Sequence, residues 1–425
     1  MKGSSSMSIT TDSNSQQAGN RSEGSFNNPA VRSRRFTSAL ILGSLSAFGP
    51  LSLDMYLPAL PTMAGELSTS ASMIQLSLTA CLLGLALGQL VVGPLSDARG
   101  RRVPLIIAMA AYAISSVLCV FAPDAITLNV LRFIQGLSGA AGIVLSRAIV
   151  RDMYSGSELT KFFSLLMLIN GAAPILAPIL GGQLLRFVSW RGVFAVLCVV
   201  GVIMLLAVLL GQPETLPRER RQRGGWQDTR STFARLLRDR LFIGYCLCQG
   251  LISAAMFGYI SGSSFVLQNI YQVSEQTFSL IFAMNGVGII IASQVTGRLA
   301  GRVSETVLLR FGLGMAAIAS ILLLAGVLLN AGLAALLVPL FFVVSAVGIV
   351  GTSSFTLAMQ NQQKSAGSAS ALLGLLPYIL GAVVAPLVGL GGEYTAVPMA
   401  LVIFCGDVGA VLCYTVLVYP FRTKS

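Results

Sequence analysis

Leu53-Asp54-Met55-Tyr56-Leu57-Pro58-Ala59-Leu60-Pro61 is the stretch whose reading decides the fold. It closes an apolar segment that opens near Phe36, and Asp54 lies inside that segment. A helix started at Phe36 reaches Asp54 after about 27 Å, nearly a full bilayer crossing. On that count Asp54 is either a hydrated residue at the outer end of its helix or an intramembrane carboxylate. The second arrangement costs about 2.5–3.5 kcal/mol on insertion scales. Such acids face a bundle interior or a water-filled cavity, and they carry protons or contact ligands. Asp54 is therefore the leading candidate for proton coupling.

The rest of the chain has the composition of a membrane protein. Of 425 residues, 55% are hydrophobic and 10% charged, with a mean hydropathy of +0.80. A soluble domain carries about 25% charged residues. Twelve apolar segments run near 36–61, 72–95, 103–122, 125–147, 161–185, 190–211, 241–269, 275–297, 306–330, 332–358, 366–390 and 396–419. Each suits the roughly 17–25 residues of a membrane helix. The expected fold is all-α, with twelve transmembrane helices in two six-helix bundles.

The basic residues give the orientation. If the N-terminus is inside, the outer loops hold only Arg186 and Arg191, Arg132 lies within a span, and every other Lys and Arg falls on the inner side. That is the positive-inside pattern. It also explains the net charge of +12 as basic loops facing anionic lipid rather than nucleic acid. Residues 1–35, Ser-, Asn- and Gln-rich, read as a disordered cytoplasmic tail. Residues 36–211 form the first bundle, 212–240 a cytoplasmic linker, 241–419 the second bundle and 420–425 a cytoplasmic tail. Thr229 to Arg240 is expected to form a surface helix.

Several chemistries are excluded or disfavoured. There is no His. The seven Cys all fall in apolar segments and read as small core residues without disulfides. No nucleophile–base pair, metal cluster or Walker loop appears, so an enzyme, a metal cofactor and ATP drive are all disfavoured. No cofactor is expected.

Four further places carry polar or backbone chemistry. Gly93-Pro94-Leu95-Ser96-Asp97-Ala98-Arg99-Gly100-Arg101-Arg102 follows the second segment. Its Gly residues permit a tight turn, and Asp97 can pair with a nearby Arg or a helix N-terminus. A plain positive-inside loop would explain the Arg residues but not Asp97 between two Gly. Gly297-Arg-Leu-Ala-Gly301 after the eighth segment echoes this loop, a weak internal repeat. In the fourth segment Arg132, Gln135, Gly136 and Gly139 share one helix face. That face can bond closely across to another helix, or Arg132 can snorkel to the nearer surface. The fifth segment reads Asn170-Gly171-Ala172-Ala173-Pro174-Ile175-Leu176-Ala177-Pro178-Ile179-Leu180-Gly181-Gly182, a kinked and closely packed helix. Asp407, in the twelfth segment, is open between a second proton site, a cation contact and a packing bond. Tyr56, Asn170, Phe257, Tyr259, Asn285 and Tyr378 are candidate linings of a central cavity.

The run DMYLPALP at 54–61 resembles the first-helix signature of the Bcr/CflA drug-resistance exporters, twelve-span drug:proton antiporters of the major facilitator superfamily. The loop at 93–102 resembles that superfamily's cytoplasmic gating motif, with Ala98 where many members carry a base. The span-four face resembles a motif whose Arg takes part in proton coupling. Span five, through Gly171, Pro174, Pro178, Gly181 and Gly182, resembles the antiporter motif, with Ala177 departing from it. Ala366-Gly367-Ser368-Ala369-Ser370 resembles a small-residue run of the same branch. The resemblance implies a monomeric proton-coupled exporter of small drug-like molecules in a bacterial inner membrane. Compounds of the bicyclomycin, sulfonamide or chloramphenicol type fit what the family implies. An uptake symporter or facilitator shares the fold. A non-transporting receptor or scaffold would leave the intramembrane charges without a use.

Overall fold

The computed structural model describes residues 38, 40–154, 156–221, 233–360, 362 and 366–422. The tail assigned to 1–35, most of the basic linker and the start of its expected helix lie outside the described residues. Helix is present at 233–238 and stops at Asp239.

Twelve long helices are present among the described residues. The first half contains α1 (Leu40–Glu66), α2 (Ala71–Arg99), α3 (Arg102–Val120), α4 (Ala125–Met153), α5 (Gly156–Leu184) and α6 (Trp190–Gly211). The second contains α7 (Arg240–Ile270), α8 (Glu275–Leu299), α9 (Glu305–Leu328), α10 (Leu333–Met359), α11 (Ala366–Val388) and α12 (Val397–Val418). Helices suit this environment because they satisfy their own backbone groups where no water is available. Side chains close their starts. Ser70, Asp124 and Ser274 accept from the backbone N–H three residues on, and Asp239 accepts from Leu241 and Phe242. Gly100 and Gly301 end α2 and α8 with φ of 92° and 84°, which only glycine adopts readily. Gly93 instead lies within α2, nearly two turns before its end at Arg99.

The apolar interior shows how the halves meet. One core combines residues of both halves, including Leu57, Leu60, Ile74 and Leu78 with Ile260, Phe265, Phe278 and Met399. It fills the end of the molecule where α1, α5, α7 and α11 finish and α2, α8 and α12 begin. At the opposite end each half has its own core, around Leu105 and Ile149 in one and Leu309 and Val350 in the other. That second end carries Arg99, Arg101, Arg102, Arg151, Arg238, Arg240, Arg302 and Arg310 and is called the basic face below. The halves touch mainly through α2 against α11 and α5 against α8. These two contacts are equivalent under the six-helix repeat.

Three cysteines depart from the core reading. Cys405 on α12 is exposed, Cys198 on α6 is partly exposed, and Cys413 on α12 is partly exposed with its sulfur toward the Gly244 carbonyl of α7. An apolar thiol is compatible with that setting, where side chains such as Ile107 and Leu210 also stand exposed.

Candidate functional site

The first span is broken, and its own sequence breaks it. Its central helical piece ends at Asp54, a short 3₁₀ turn follows over Leu57–Ala59, and helix resumes over Leu60–Glu66. Proline has no N–H to return to the carbonyl four residues back. Pro58 therefore frees the carbonyl of Asp54, and Pro61 denies that of Leu57 its partner four residues on, so it accepts from the Leu60 N–H in the 3₁₀ turn instead. Asp54 lies at mid-span, with Leu40 and Glu66 at the two ends. The hydrated outer-end position is therefore ruled out, because helix continues twelve residues beyond Asp54.

Both halves hold the break. Before it, the Arg132 guanidinium donates to the Ser52 carbonyl at 2.6 Å. After it, the Ser264 hydroxyl donates to the Leu57 carbonyl at 2.7 Å. The Gln268 amide donates to the Pro58 carbonyl at 2.8 Å, from a final turn of α7 that widens to a π-helix. Gly181 of α5 lies against the Met55 carbonyl, and any Cβ there would overlap it. Gly182 likewise lies close against Ser279 on α8. The glycine pair of the span-five motif thus lets α5 touch the break and the second half together.

Arg132 is fully buried and does not snorkel. It also bonds Gln135, whose amide donates to Ser116 at 2.7 Å. The guanidinium lies 4.4 Å from the Tyr56 ring centre and 5.6 Å from that of Phe194. Tyr56 bonds Ser77 at 2.8 Å, and Ser52 bonds Tyr112 at 2.7 Å. Arg132 makes no ion pair with Asp54 among the described residues. It fixes α1 two residues ahead of that carboxyl. Tyr56 belongs to this network inside the first half and does not line a cavity between the halves.

Asp54 itself is 5% exposed and has no side-chain hydrogen bond or ion pair among the described residues. It lies within electrostatic range of Cys81 on α2, Tyr259 on α7 and Tyr378 on α11. Tyr259 accepts from Asn285 at 2.9 Å and stacks on Phe282 at 5.5 Å. Phe257 pairs with Tyr378 at 6.1 Å, and Tyr378 is partly open. Four cavity candidates of the second half are thus gathered opposite Asp54. The side chain of Asn170 lies outside the described residues.

Asp407 stands elsewhere. It is fully buried on α12, inside the second half and away from the junction. Ser320 of α9 is its polar neighbour, but that hydroxyl donates to the Ala317 carbonyl. Both oxygens of Asp407 are left without a hydrogen-bond partner. Among the described residues no three His, Cys, Asp or Glu side chains come together as a metal site.

At the basic face, Arg101 joins Asp97 at 2.6 Å and Asp152 at 2.9 Å, and it donates to Ser96 at 2.7 Å. Burial opposes its charge, but the bonds to Asp152 and Asp97 outweigh burial and raise its pKa. Arg102 donates to the Leu209 carbonyl. Glu214, in the linker, accepts from the backbone N–H of Arg101 at 2.8 Å and of Arg102 at 3.3 Å. It thereby caps the start of α3.

Six hydrogen bonds join the halves among the described residues, all at the end remote from the basic face. Besides the two at the break, Ser72 donates to Pro386, Gln75 to Ser261, Thr79 to Ala382 and Gln276 to Gly182. The molecule is sealed at that end and parted toward the basic face.

Sequence comparison fits this geometry. The family model described as Major Facilitator Superfamily matches residues 42–386. The chain belongs to the Major Facilitator Superfamily. It is 48% identical to an uncharacterized MFS-type transporter, YdgK, of Bacillus subtilis, over 89% of this chain and 94% of that one. It is 30% identical to a bicyclomycin resistance protein homolog of Haemophilus influenzae, over 92% of this chain and 96% of the relative. The solved structure of the nucleoside transporter NupG superposes with a TM-score of 0.72 at 14% identity, covering 90% of this chain and all of that one. This superfamily fold is that of transporters rather than enzymes, and the drug-resistance relatives match the branch that the motifs resemble.

The sequence reading missed Ser52, Ser264, Gln268 and Glu214. The spacing of Pro58 and Pro61 was a usable signal, since it marks where the helical bonding of α1 breaks. Nothing local in the sequence says that Ser264 and Gln268, some two hundred residues on, meet the carbonyls of Leu57 and Pro58 there.

Proposed function

We propose that this protein exports small drug-like molecules in exchange for protons, by alternating access across a bacterial inner membrane. The carrying observation is the placement of Asp54 at a helix break whose carbonyls are held on one side by Arg132 and on the other by the second half. The basic face is taken as cytoplasmic by the positive-inside rule. Both termini then lie inside, and the arrangement described is inward-facing. The likeness to the bicyclomycin resistance protein homolog supports export as the direction and bicyclomycin as the first compound to try.

The coupling follows from electrostatics. Enclosing an ionised carboxylate with no partner is costly. The junction therefore closes over Asp54 only when a proton or a substrate group satisfies it. In the inward-facing form Asp54 releases its proton to the cytoplasm and receives the drug. In the outward-facing form a proton from outside takes the drug's place, and the drug leaves. Arg132 acts through the backbone of α1 by fixing the turn that carries Asp54. Asp407, sealed inside the second half, is given no step. One chain encloses the whole site, which suits a monomer.

The test is bicyclomycin and chloramphenicol accumulation in cells making this protein, with and without a protonophore. The expected result is lower accumulation than in control cells, restored to the control level by the protonophore. Unchanged accumulation of both drugs would contradict export, and export that survives the protonophore would contradict coupling.

A further inference from the structure

The contact between α7 and α12 carries chemistry that the cycle above does not use. The two helices run antiparallel within the second half, and two close approaches fix their register. At mid-span, a Cβ on Gly406 of α12 would stand 3.1 Å from the Cβ of Ala255 on α7. Nearer the basic face, a Cβ on Gly244 of α7 would stand 3.3 Å from the Cβ of Leu417 on α12. Both helices cover the same number of residues between these contacts, so the positions between them are matched one to one. Cys248, four residues from Gly244, is therefore matched to Cys413, four residues from Leu417. Steps of four residues stay on one helix face, so the two thiols lie in the contact itself.

The sulfur positions agree with that register. The Cys248 thiol donates to the Ala410 carbonyl of α12 at 3.5 Å, and the Cys413 thiol lies 4.0 Å from the Gly244 carbonyl of α7. A helical carbonyl points to the level of the residue three or four positions on. Each thiol thus stands at the level of the other. On both sides of the pair the helices approach closely enough for the Cβ separation of a disulfide, about 3.5–4.5 Å. The two sulfurs differ in access. Cys248 is fully buried and Cys413 is partly exposed. Tyr414, the next residue, accepts from the exposed Arg310 at 2.9 Å. Tyr and Arg together mark the level where a span meets water. A small water-borne reagent therefore meets Cys413 first, and Cys248 is reached only through it.

We propose that Cys413 and Cys248 are a redox-active pair, in which a peroxide oxidises Cys413 and Cys248 then closes a disulfide across α7 and α12. Cys413 gives its proton to water, and the thiolate sulfur attacks one peroxide oxygen. The O–O bond breaks, the departing hydroxide takes up a proton, and Cys413 becomes a sulfenic acid. The Cys248 sulfur next attacks the Cys413 sulfur. The S–O bond breaks, and the hydroxyl leaves with the Cys248 proton as water. Two thiols and one hydrogen peroxide give one disulfide and two waters, with two electrons passing from sulfur to oxygen. The bridge fastens the basic-face end of α7 to that of α12. It lies wholly within one half and depends on no step of the export cycle.

The test is hydrogen peroxide treatment of the purified, fully reduced protein in detergent, with free thiols counted and peptides mapped by mass spectrometry. The expected result is the loss of two thiols, a crosslinked Cys248–Cys413 peptide, and the return of both thiols on reduction. Dimedone, which traps sulfenic acids, reads the order of events. It is expected to label Cys413 in Cys248→Ser and to leave Cys248 unlabelled in Cys413→Ser. Gel filtration checks that both variants remain folded. Absence of the Cys248–Cys413 peptide from oxidised wild type, or a bridge joining other cysteines in its place, overturns the pair. Label on Cys248 in Cys413→Ser, or none on Cys413 in Cys248→Ser, overturns the assigned order.

Discussion

At the residue scale, the account turns on the different surroundings of three intramembrane charges. Arg132 meets a carbonyl, an amide and two aromatic faces, and only its Nε lacks a hydrogen-bond partner. Asp54 is barely exposed and faces the junction, whereas Asp407 is sealed within one half. Sequence placed all three in spans, but depth and facing were not legible. Apolar residues continue on both sides of each charge, so the pattern does not tell a helix end from a helix middle. Arg132→Lys tests the first environment. A single ammonium cannot serve Ser52 and Gln135 from a planar fork and also lie over the Tyr56 ring. We expect a loss of about 1–3 kcal/mol, typical of a broken buried bond, seen as a lower unfolding temperature in detergent, together with a fall in drug export of tenfold or more. A Lys variant as stable and active as the wild type would show that the guanidinium geometry is unimportant.

At the element scale, the break in α1 and the cap on α3 are the two devices that position the site. The first was written in Pro58 and Pro61, since each removes a donor at a fixed offset. The second was not legible. Glu214 lies more than a hundred residues from the helix it caps, in a linker whose composition reads only as polar and basic. Its carboxyl can be titrated directly, because it lies outside the spans. Burial works against its charge, but the N–H groups of Leu216, Arg101 and Arg102, with Arg221 beside them, hold its pKa below the ordinary 4.5. A lowered carboxylate pKa stabilises the fold fully above the unfolded value, and the effect is lost as pH falls through the folded value. Glu214→Gln should therefore lower thermal stability at pH 7 by about 1 kcal/mol, the usual size of a helix cap. The gap between variant and wild type should narrow below about pH 4.5. A gap that stays constant from pH 7 to pH 4 would mean that Glu214 acts without its charge.

At the scale of the whole molecule, the halves share one core at one end and keep separate cores at the other. The twelve spans and the two bundles were legible from length and hydropathy, because a membrane helix must be long and apolar. The direction of opening was not, since under the proposed cycle the same sequence also closes the basic face at another point. Thr79 and Ala382 meet at 3.0 Å where α2 touches α11 at the sealed end. Replacing both with Cys and joining them with a short cleavable thiol reagent should stop export, and cleaving the linker should restore it. Export that continues with the linker in place would mean that this end does not open.

The most direct measurement of the central claim is drug-driven proton movement in vesicles holding purified wild type or Asp54→Asn. The vesicles carry a pH-sensitive dye inside, and bicyclomycin or chloramphenicol is added on one side. The account predicts that the drug moves protons the opposite way in the wild type, while Asp54→Asn still binds the drug but moves none. Equal proton movement by both proteins would take Asp54 out of the coupling step and contradict the account.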